Sequence, residues 1–354
     1  MIFHFVDDRI VKAMIRFNKP TIGKKDLESV LYCMIEDNLA PGQYLKTFTS
    51  MLSATFGIPH VAAFSSYFHA LETAFHLIGG SQGDEVLIPS SARPVIVRCL
   101  LRCGLTPVPV DITSDSFLPP VGEIKRKMSS RTRCLFIPQM FGIPSDLSIY
   151  RELDLPIIED VDGSIGSRVN GERIGSFGDY ITMNFNDDSL ITTGSGGMLA
   201  SRDRQLKQFV DILRNDQEDS VVLMSDLNAS LGVSQLGRLE KNIESRKRIS
   251  GYYDDAVFAS GGALVGRDEG KEFVFSSYVV ATRTAFKECV QFFKKFDIPI
   301  RRGIEKPIHA ILGLSARDYR NSEQMHHSLI AFPIYPALSQ KDIENIVKGI
   351  KAIL

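Results

Sequence analysis

Several groups of residues in this 354-residue chain are of types that do chemistry. The acids Asp187 and Asp188, with Asp160 and Asp162 earlier in the chain, offer hard oxygen ligands of the kind magnesium takes. Acids in a polar stretch serve equally well as solvated turn residues, and that reading is adopted. Cys99 and Cys103 stand four apart, as on one helix face, and would supply two soft ligands. No second pair and no nearby histidine completes a four-ligand site, so helix packing is expected and no metal. His326 and His327 read as metal ligands or as a base pair for catalysis, but adjacent residues point in different directions and no acid partner is evident. A surface or packing role is expected for them. Arg246-Lys247-Arg248 reads as a solvated helix face. Arg301 and Arg302, followed by Lys306 and His309, carry the charge to hold a diphosphate by charge-assisted hydrogen bonds, or are ordinary surface charge.

Composition limits what these groups serve. The formal net charge is -1, so no basic surplus marks a nucleic-acid surface. With 44% hydrophobic and 23% charged residues, the chain is long enough for a large core and for two domains. Its 5 cysteines are odd in number, scattered and mostly in apolar surroundings, which fits buried thiols in a reducing compartment. The segment Met1 to Asp8 carries acids where a secretory signal carries bases, and no apolar stretch reaches the length of about 18 residues that spans a membrane. The expected location is the cytoplasm.

The elements that must position these groups follow from periodicity. Short apolar runs at Glu85 to Ile88, Pro107 to Val110, Cys134 to Ile137 and Pro156 to Ile158 predict strands buried on both faces, as in a mostly parallel sheet. Between them lie segments such as Ala70 to Leu77 with helical spacing, so the pattern is that of a doubly wound α/β sheet. Two further strands are predicted at Tyr180 to Phe185 and Gly197 to Ser201, joined by the polar turn Asn186 to Gly196. A long helix is predicted from about Leu227 to Tyr253, with Leu231, Leu236, Leu239, Ile243 and Ile249 as its apolar stripe. After it come a strand over Phe273 to Val280, a helix over Ala285 to Phe293, and a final helix opened by the capping signal Ser339-Gln340-Lys341-Asp342. The division expected is a large domain over 1–226 and a linking helix with a small α+β domain over 227–354.

Motifs along the chain add to this reading. Pro20 is followed by Ala40-Pro41-Gly42, Gly83-Asp84-Glu85-Val86, Val110-Asp111-Ile112 and Phe141-Gly142-Ile143-Pro144-Ser145-Asp146-Leu147. Then come Ile158-Glu159-Asp160, Gly175-Ser176-Phe177-Gly178-Asp179 and Ile191-Thr192-Thr193-Gly194-Ser195-Gly196-Gly197. Asn228-Ala229, Gln235-Leu236, Arg246, Tyr252-Tyr253 and Ala331-Phe332-Pro333-Ile334-Tyr335-Pro336 complete the series. In this order and spacing the sequence resembles the sugar aminotransferases of the DegT/DnrJ/EryC1/StrS family, which install amino groups on nucleotide-linked keto-sugars. The resemblance implies the three-layer large domain and small domain of fold-type-I enzymes that use pyridoxal phosphate (PLP), and a homodimer with active sites at the subunit interface.

A PLP enzyme needs a lysine for the aldimine, an acid for the pyridine nitrogen, donors for the phosphate and a surface to stack the ring. By the resemblance, Asp160 is the acid, or else a strand-end residue capping its turn. The lysine position is Ser189, and no lysine occurs between Lys127 and Lys207. The family's phosphate loop, Ser-Gly-Thr, reads Ser66-Tyr67-Phe68, with bulk where glycine lets a phosphate approach backbone amides. Arg93 stands at the ring-stacking position, Gly163 at that of a Gln or His near the ring, and Asn184 at that of a phosphate-binding serine. The partner-subunit loop, Ser220 to Met224, lacks the family's Asn and Arg. In the dehydratase branch a histidine replaces the lysine and pyridoxamine phosphate (PMP) is held noncovalently; a serine hydroxyl has no comparable basicity.

The expectation is therefore a sugar aminotransferase-like protein with a degenerate site: no confident catalytic residue, no cofactor, and a remnant cleft of Ser66, Tyr67, Phe68, Arg93, Asp160, Gly163, Asn184 and Ser189. Arg301, Arg302 and His309 are expected on the substrate. The ligand expected is a nucleotide sugar or another phosphorylated metabolite of polysaccharide or amino-sugar synthesis, bound by a homodimer with no nucleic-acid or membrane partner. The alternative is a PLP- or PMP-dependent aminotransferase or dehydratase acting on a nucleotide-linked keto-sugar. A third arrangement is a heterodimer with a catalytic homologue.

Overall fold

The computed structural model describes residues 15–37, 39–187, 189–215 and 222–354. The acidic segment Met1 to Asp8, Asp188 of the acidic pair, and Ser220 and Val221 of the expected partner loop lie outside the described residues. Within them the chain builds a seven-stranded sheet from β1 (His60–Phe64), β2 (Glu85–Pro89), β3 (Thr106–Val110), β4 (Thr132–Pro138), β5 (Ile157–Asp160), β6 (Tyr180–Asn184) and β7 (Gly197–Ser201), in the order β1-β7-β6-β5-β4-β2-β3. Neighbours from β6 through β5, β4 and β2 to β3 run parallel; β7 runs antiparallel to both β6 and β1.

The apolar runs are buried on both faces, as their lack of polar alternation requires. Along β4, Cys134 and Phe136 enter the core under one face of the sheet, while Leu135 and Ile137 enter the core under the other. Along β2, Val86 and Ile88 take the first face and Leu87 the second. The period of two along a strand produces this split. The first face is covered by α2 (Gln43–Phe56), α3 (Tyr67–Leu77), α4 (Pro94–Arg102) and α6 (Arg204–Asn215); the second by α5 (Val121–Lys127) and the 3₁₀ turn Leu147–Leu153.

Outside this body, α1 (Lys24–Ile35) and α2 pack on α7 (Asp226–Leu236). The helix α8 (Leu239–Ala259) buries Ile243 in the core of the large sheet and Ile249, Tyr253 and Val257 in a second core. That second core also holds the three-stranded antiparallel sheet of β8 (Tyr278–Ala281), β9 (Arg301–Arg302) and β10 (Leu329–Phe332), in the order β8-β10-β9. Around it are α9 (Phe286–Lys294), α11 (Arg320–Ser328) and α12 (Gln340–Ile353), whereas α10 (Ile308–Ile311) packs on α4 and buries Ile308 in the core of the large sheet. The capping signal at Ser339 forms a complete capping box, with the Ser339 hydroxyl and the Asp342 carboxylate each accepting the other's backbone N–H. Ile343, Ile346, Ile350 and Ile353 are buried beneath it, and Val347 is half-buried.

Two predicted elements differ. The single helix over Leu227 to Tyr253 is two helices broken at Gly237 and Arg238. Gly237 has the poorest propensity of any non-proline residue for a helix interior, and Arg238 is drawn out of register by hydrogen bonds to the Thr21 carbonyl and the buried Asp26 carboxylate. The strand predicted over Phe273 to Val280 begins only at Tyr278. Before it the backbone is committed elsewhere: Val274 N–H donates to the Ser167 hydroxyl, Ser276 N–H to the Phe141 carbonyl, and the Phe275 carbonyl accepts from the buried Arg246 guanidinium. Arg246 also caps the Ile334 carbonyl, so it is a buried tie and not the solvated face its basic run suggested. Burial pulls its guanidinium down to about 10.

Of the cysteines, Cys33, Cys99, Cys134 and Cys289 are buried, and burial raises each of these thiols, which keeps them inert. No group of three or more His, Cys, Asp or Glu side chains suited to a metal occurs among the described residues. No helix among them is long and apolar enough to cross a membrane.

Candidate functional site

At the carboxyl ends of β2, β4, β5 and β6 lies a cavity of ≈ 630 Å³, closed from the other side by β9 and the loop after it. This is where an open parallel sheet offers a crevice, because the loops leaving neighbouring strands diverge there. The N-termini of α3 and α4 point into the same space through Ser66, Tyr67, Phe68 and Arg93 to Val95. All eight residues expected in the remnant cleft line the cavity, and so do Arg301 and Arg302.

Asp160 ends β5 and is only 3% exposed, while Asp162, two residues on, is 10% exposed. Asp160 Oδ1 accepts the Asp162 N–H at 3.1 Å, an Asx turn that fixes both acids at the strand end. Arg93, from the loop after β2, spans them: one terminal nitrogen is 2.6 Å from Asp162 Oδ2 and the other 3.3 Å from Asp160 Oδ2. Its guanidinium carbon stands 5.6 Å from the centre of the Tyr67 ring, in cation–π range. Ser189 completes the chain of contacts by donating to Asp162 Oδ1 at 3.2 Å. The Tyr67 phenol is fully buried, and burial, followed by the Asp160 charge, holds its pKa well above the ordinary value; it is neutral here.

The helix-start loop is held tightly. The Ser66 hydroxyl caps α3 by accepting the His69 N–H at 3.2 Å. Behind it, β7 passes so close that a Cβ on Gly197 would stand 2.5 Å from the Tyr67 Cα. Gly163 has φ +81°, and a Cβ there would lie 2.5 Å from the Ser276 hydroxyl, so no side chain reaches into the cleft from this position. Asn184 Oδ1 is occupied by the Asn186 N–H, and Phe68 lies half-buried beneath the Arg102 guanidinium. Ser91 is buried and lines the cavity, and its hydroxyl, like that of Tyr67, has no hydrogen-bond partner among the described residues.

The outer lining is cationic. Arg301 lies over the Phe17 ring and Arg302 over the Phe286 ring, and Arg302 also donates to the His326 carbonyl. Arg98 from α4 and Lys306 from the loop after β9 join them, against Glu305 as the acid of this outer part among the described residues. Sequence reasoning noticed Lys306 but not Arg98, whose only signal is a basic side chain one turn into a short helix beginning at Pro94.

His309 is the misplaced expectation. It does not line the cavity; it is 1% exposed, with Nδ1 2.6 Å from the Ser90 hydroxyl, Nε2 2.8 Å from Glu323 and its ring stacked on Tyr319 at 4.4 Å. Following Pro307 at the start of α10, the ring turns inward and ties that helix to the end of β2. Of the pair His326 and His327, the first packs, with Nδ1 meeting the Ile304 carbonyl and burial lowering the pKa of its imidazole, while His327 is exposed and, against the expectation, has an acid partner, with Nε2 3.3 Å from Glu323.

Residues 20–351 match the profile of the DegT/DnrJ/EryC1/StrS aminotransferase family. A GDP-perosamine synthase of Caulobacter vibrioides is 25% identical over 365 residues, covering 95% of this chain and 97% of that one. Among solved structures, the aminotransferase TlmJ of Streptoalloteichus hindustanus superposes with a TM-score of 0.89 at 23% identity, over 96% of this chain and 98% of that one. The putative sugar aminotransferase Spr1654 of Streptococcus pneumoniae superposes with a TM-score of 0.85 in its PLP form, at 20% identity over 96% and 98% of the two chains, and 0.86 in its PMP form, at 22% over 96% and 97%.

Proposed function

We propose that this chain, which belongs to the DegT/DnrJ/EryC1/StrS aminotransferase family, binds a nucleotide-linked sugar in this cavity and does so without a Schiff base to a lysine of its own. Its role on this reading is that of a binding, regulatory or complex-forming protein of amino-sugar or polysaccharide synthesis. The observation that carries the reading is the seat of Arg93. By the family resemblance Asp160 is the acid that serves a pyridinium nitrogen, and here its carboxylate is already engaged by a guanidinium of the same chain. The lysine position, Ser189, is a hydroxyl bonded to Asp162. A ring cation brought to Asp160 would meet the Arg93 charge, so these residues do not fit PLP. The cationic lining from Arg98, Arg301, Arg302 and Lys306 suits a diphosphate.

The names of the relatives support a second reading. GDP-perosamine synthases, a UDP-N-acetyl-3-dehydro-α-D-glucosamine 3-aminotransferase and a dTDP-3-amino-3,6-dideoxy-α-D-galactopyranose transaminase all resemble this chain, and solved neighbours carry PLP and PMP. On that reading the chain is a PLP- or PMP-dependent aminotransferase or dehydratase acting on a nucleotide-linked keto-sugar, and Arg93 must leave Asp160 when the cofactor enters.

Calorimetric titration of the purified protein separates the two. The first reading expects a GDP- or UDP-linked hexose to bind and neither PLP nor PMP to do so. Tight binding of PLP or PMP, with turnover of a keto-sugar nucleotide, would establish the second.

The proposal extends to assembly and place. Leu27, Leu31 and Ile35, spaced along one face of α1, are 61%, 55% and 66% exposed, which supports pairing with a second copy. Sedimentation of the chain alone, and co-expressed with an active homologue, distinguishes a homodimer from a heterodimer. The cytoplasm is the compartment in which nucleotide-linked sugars would reach it.

A further inference from the structure

Resting on the reading that the cavity takes a phosphorylated ligand, we propose that its phosphate is seated at the start of α4, by the Val95 N–H, the Ser91 hydroxyl and the Arg98 guanidinium, and not at the start of α3.

Two helices begin at the cavity wall, α3 and α4. The first N–H groups of a helix have no acceptor within it, and the aligned peptide dipoles make its start attractive to an anion. At α3 that start is closed. The Ser66 hydroxyl already accepts the His69 N–H at 3.2 Å, and Tyr67 is buried with its backbone against β7, where a Cβ on Gly197 would stand 3.0 Å from the Tyr67 N. At α4 the start is open to a ligand. Its N-cap residue, Arg93, makes no capping bond and extends to Asp160 and Asp162 instead. Pro94 has no N–H, and the Ile96 N–H goes to the Arg93 carbonyl at 3.1 Å. Val95, between them, lines the cavity and brings its N–H to the wall.

Ser91 is the independent sign of a ligand there. It stands two residues before Arg93, in a turn where the Ala92 N–H donates to the Pro89 carbonyl at 3.0 Å. It is 2% exposed and lines the cavity, yet its hydroxyl has no partner among the described residues, whereas the Ser90 hydroxyl beside it is taken by His309 at 2.6 Å. A buried hydroxyl without an acceptor is costly, and a phosphate oxygen supplies one. Arg98 follows Pro94 by four residues, so the two share a helix face, and both line the cavity. Its guanidinium matches a phosphate with two parallel donors. The sign of the whole lining agrees: among the described residues five cationic side chains stand against the carboxylates of Asp160, Asp162 and Glu305, and Arg93 already spans the first two.

The test is calorimetry on the full chain with inorganic pyrophosphate, a GDP-linked hexose and a UDP-linked hexose. Ser91→Ala and Arg98→Gln are each expected to weaken the probes that bind by about tenfold, the loss of one hydrogen bond to a charged group. Arg102→Gln removes the same charge from the same helix, outside the cavity lining, and should change affinity less than about twofold. Wild-type affinity in both Ser91→Ala and Arg98→Gln overturns the seat while leaving sugar-nucleotide binding intact. An equal loss in Arg102→Gln, which marks unspecific attraction, also overturns it, as does a loss confined to Ser66→Ala, which returns the phosphate to α3. Failure of pyrophosphate and both sugar nucleotides to bind the wild-type chain overturns the seat and the reading beneath it.

Discussion

Gly197→Ala tests whether the floor of the cavity depends on the close passage of β7 behind α3. The added Cβ would stand 2.5 Å from the Tyr67 Cα and 3.0 Å from both the Tyr67 N and the Ser66 O. Ordinary carbon contacts begin near 3.5 Å, so relief needs a displacement of about 1 Å. All three atoms are backbone, so no rotamer change can supply it. Either β7, paired on both sides with β1 and β6, must shift, or the start of α3 must move. Overpacking of this kind costs about 1–3 kcal/mol. A displaced Ser66 and Tyr67 would also loosen the cation–π contact with Arg93, and sugar-nucleotide affinity is expected to fall tenfold or more. Because the chain has 0 tryptophans, unfolding is best followed by far-UV circular dichroism in urea, with binding measured in parallel by calorimetry. Gly122→Ala is the matched control: it lies in α5, its Cβ would meet nothing within 4 Å, and a gain of about 0.5–1 kcal/mol is expected from helix propensity. If Gly197→Ala unfolds at the wild-type urea concentration and binds normally, the close passage is not a constraint and the reasoning fails.

Other substitutions probe independent parts of the argument. Ser189→Lys should give no PLP absorbance in the visible and no transamination, because Arg93 still holds Asp160 and Tyr67 and Phe68 still stand in the phosphate loop; an aldimine spectrum with turnover would refute the view that several defects act together. Asp226→Ala removes a buried carboxylate that accepts the N–H groups of Gly42, Tyr44 and Leu45 at 2.8 to 3.0 Å, and should cost about 3–5 kcal/mol in a urea titration, since each orphaned donor costs roughly 1–3 kcal/mol and some regain water. Arg246→Met, which leaves the Phe275 and Ile334 carbonyls without a donor, should destabilise the chain by about 2–4 kcal/mol and lower its thermal midpoint, with a change below about 1 kcal/mol arguing that water replaces the guanidinium.

Some of the sequence landmarks are explained by ties of this kind. The landmarks Ala40-Pro41-Gly42 and Asn228-Ala229 lie far apart in sequence, yet Asp226 joins them by capping the entry to α2. Gly142 lies in a left-handed backbone conformation hard against the Val274 carbonyl, where any side chain would clash.

Much of the scaffold could be read directly. The buried strands announced themselves because a parallel sheet covered on both faces leaves no polar alternation, and the final helix because its capping box is local in sequence. Asp160 at the end of its strand followed from the same reading, whereas Ser189 was singled out by the family resemblance. What sequence alone left open depended on contacts between distant segments. Gly237 ends a helix here because Arg238 is drawn to Thr21 and Asp26, 217 and 212 residues away. Residues 273–277 have strand propensity, but tertiary hydrogen bonds to Ser167, Phe141 and Arg246 outweigh a preference worth about 1 kcal/mol at most. His309 turns inward because Ser90 and Glu323 offer its two nitrogens partners. The pairing of Arg93 with Asp160 and Asp162 spans 67 and 69 residues, and only the folded sheet brings the β2 and β5 ends together. The sequence by itself determined which residue types stand in the cleft. The tertiary structure decided their charge balance, because that depends on distance, and distance between separated strands is set by the sheet.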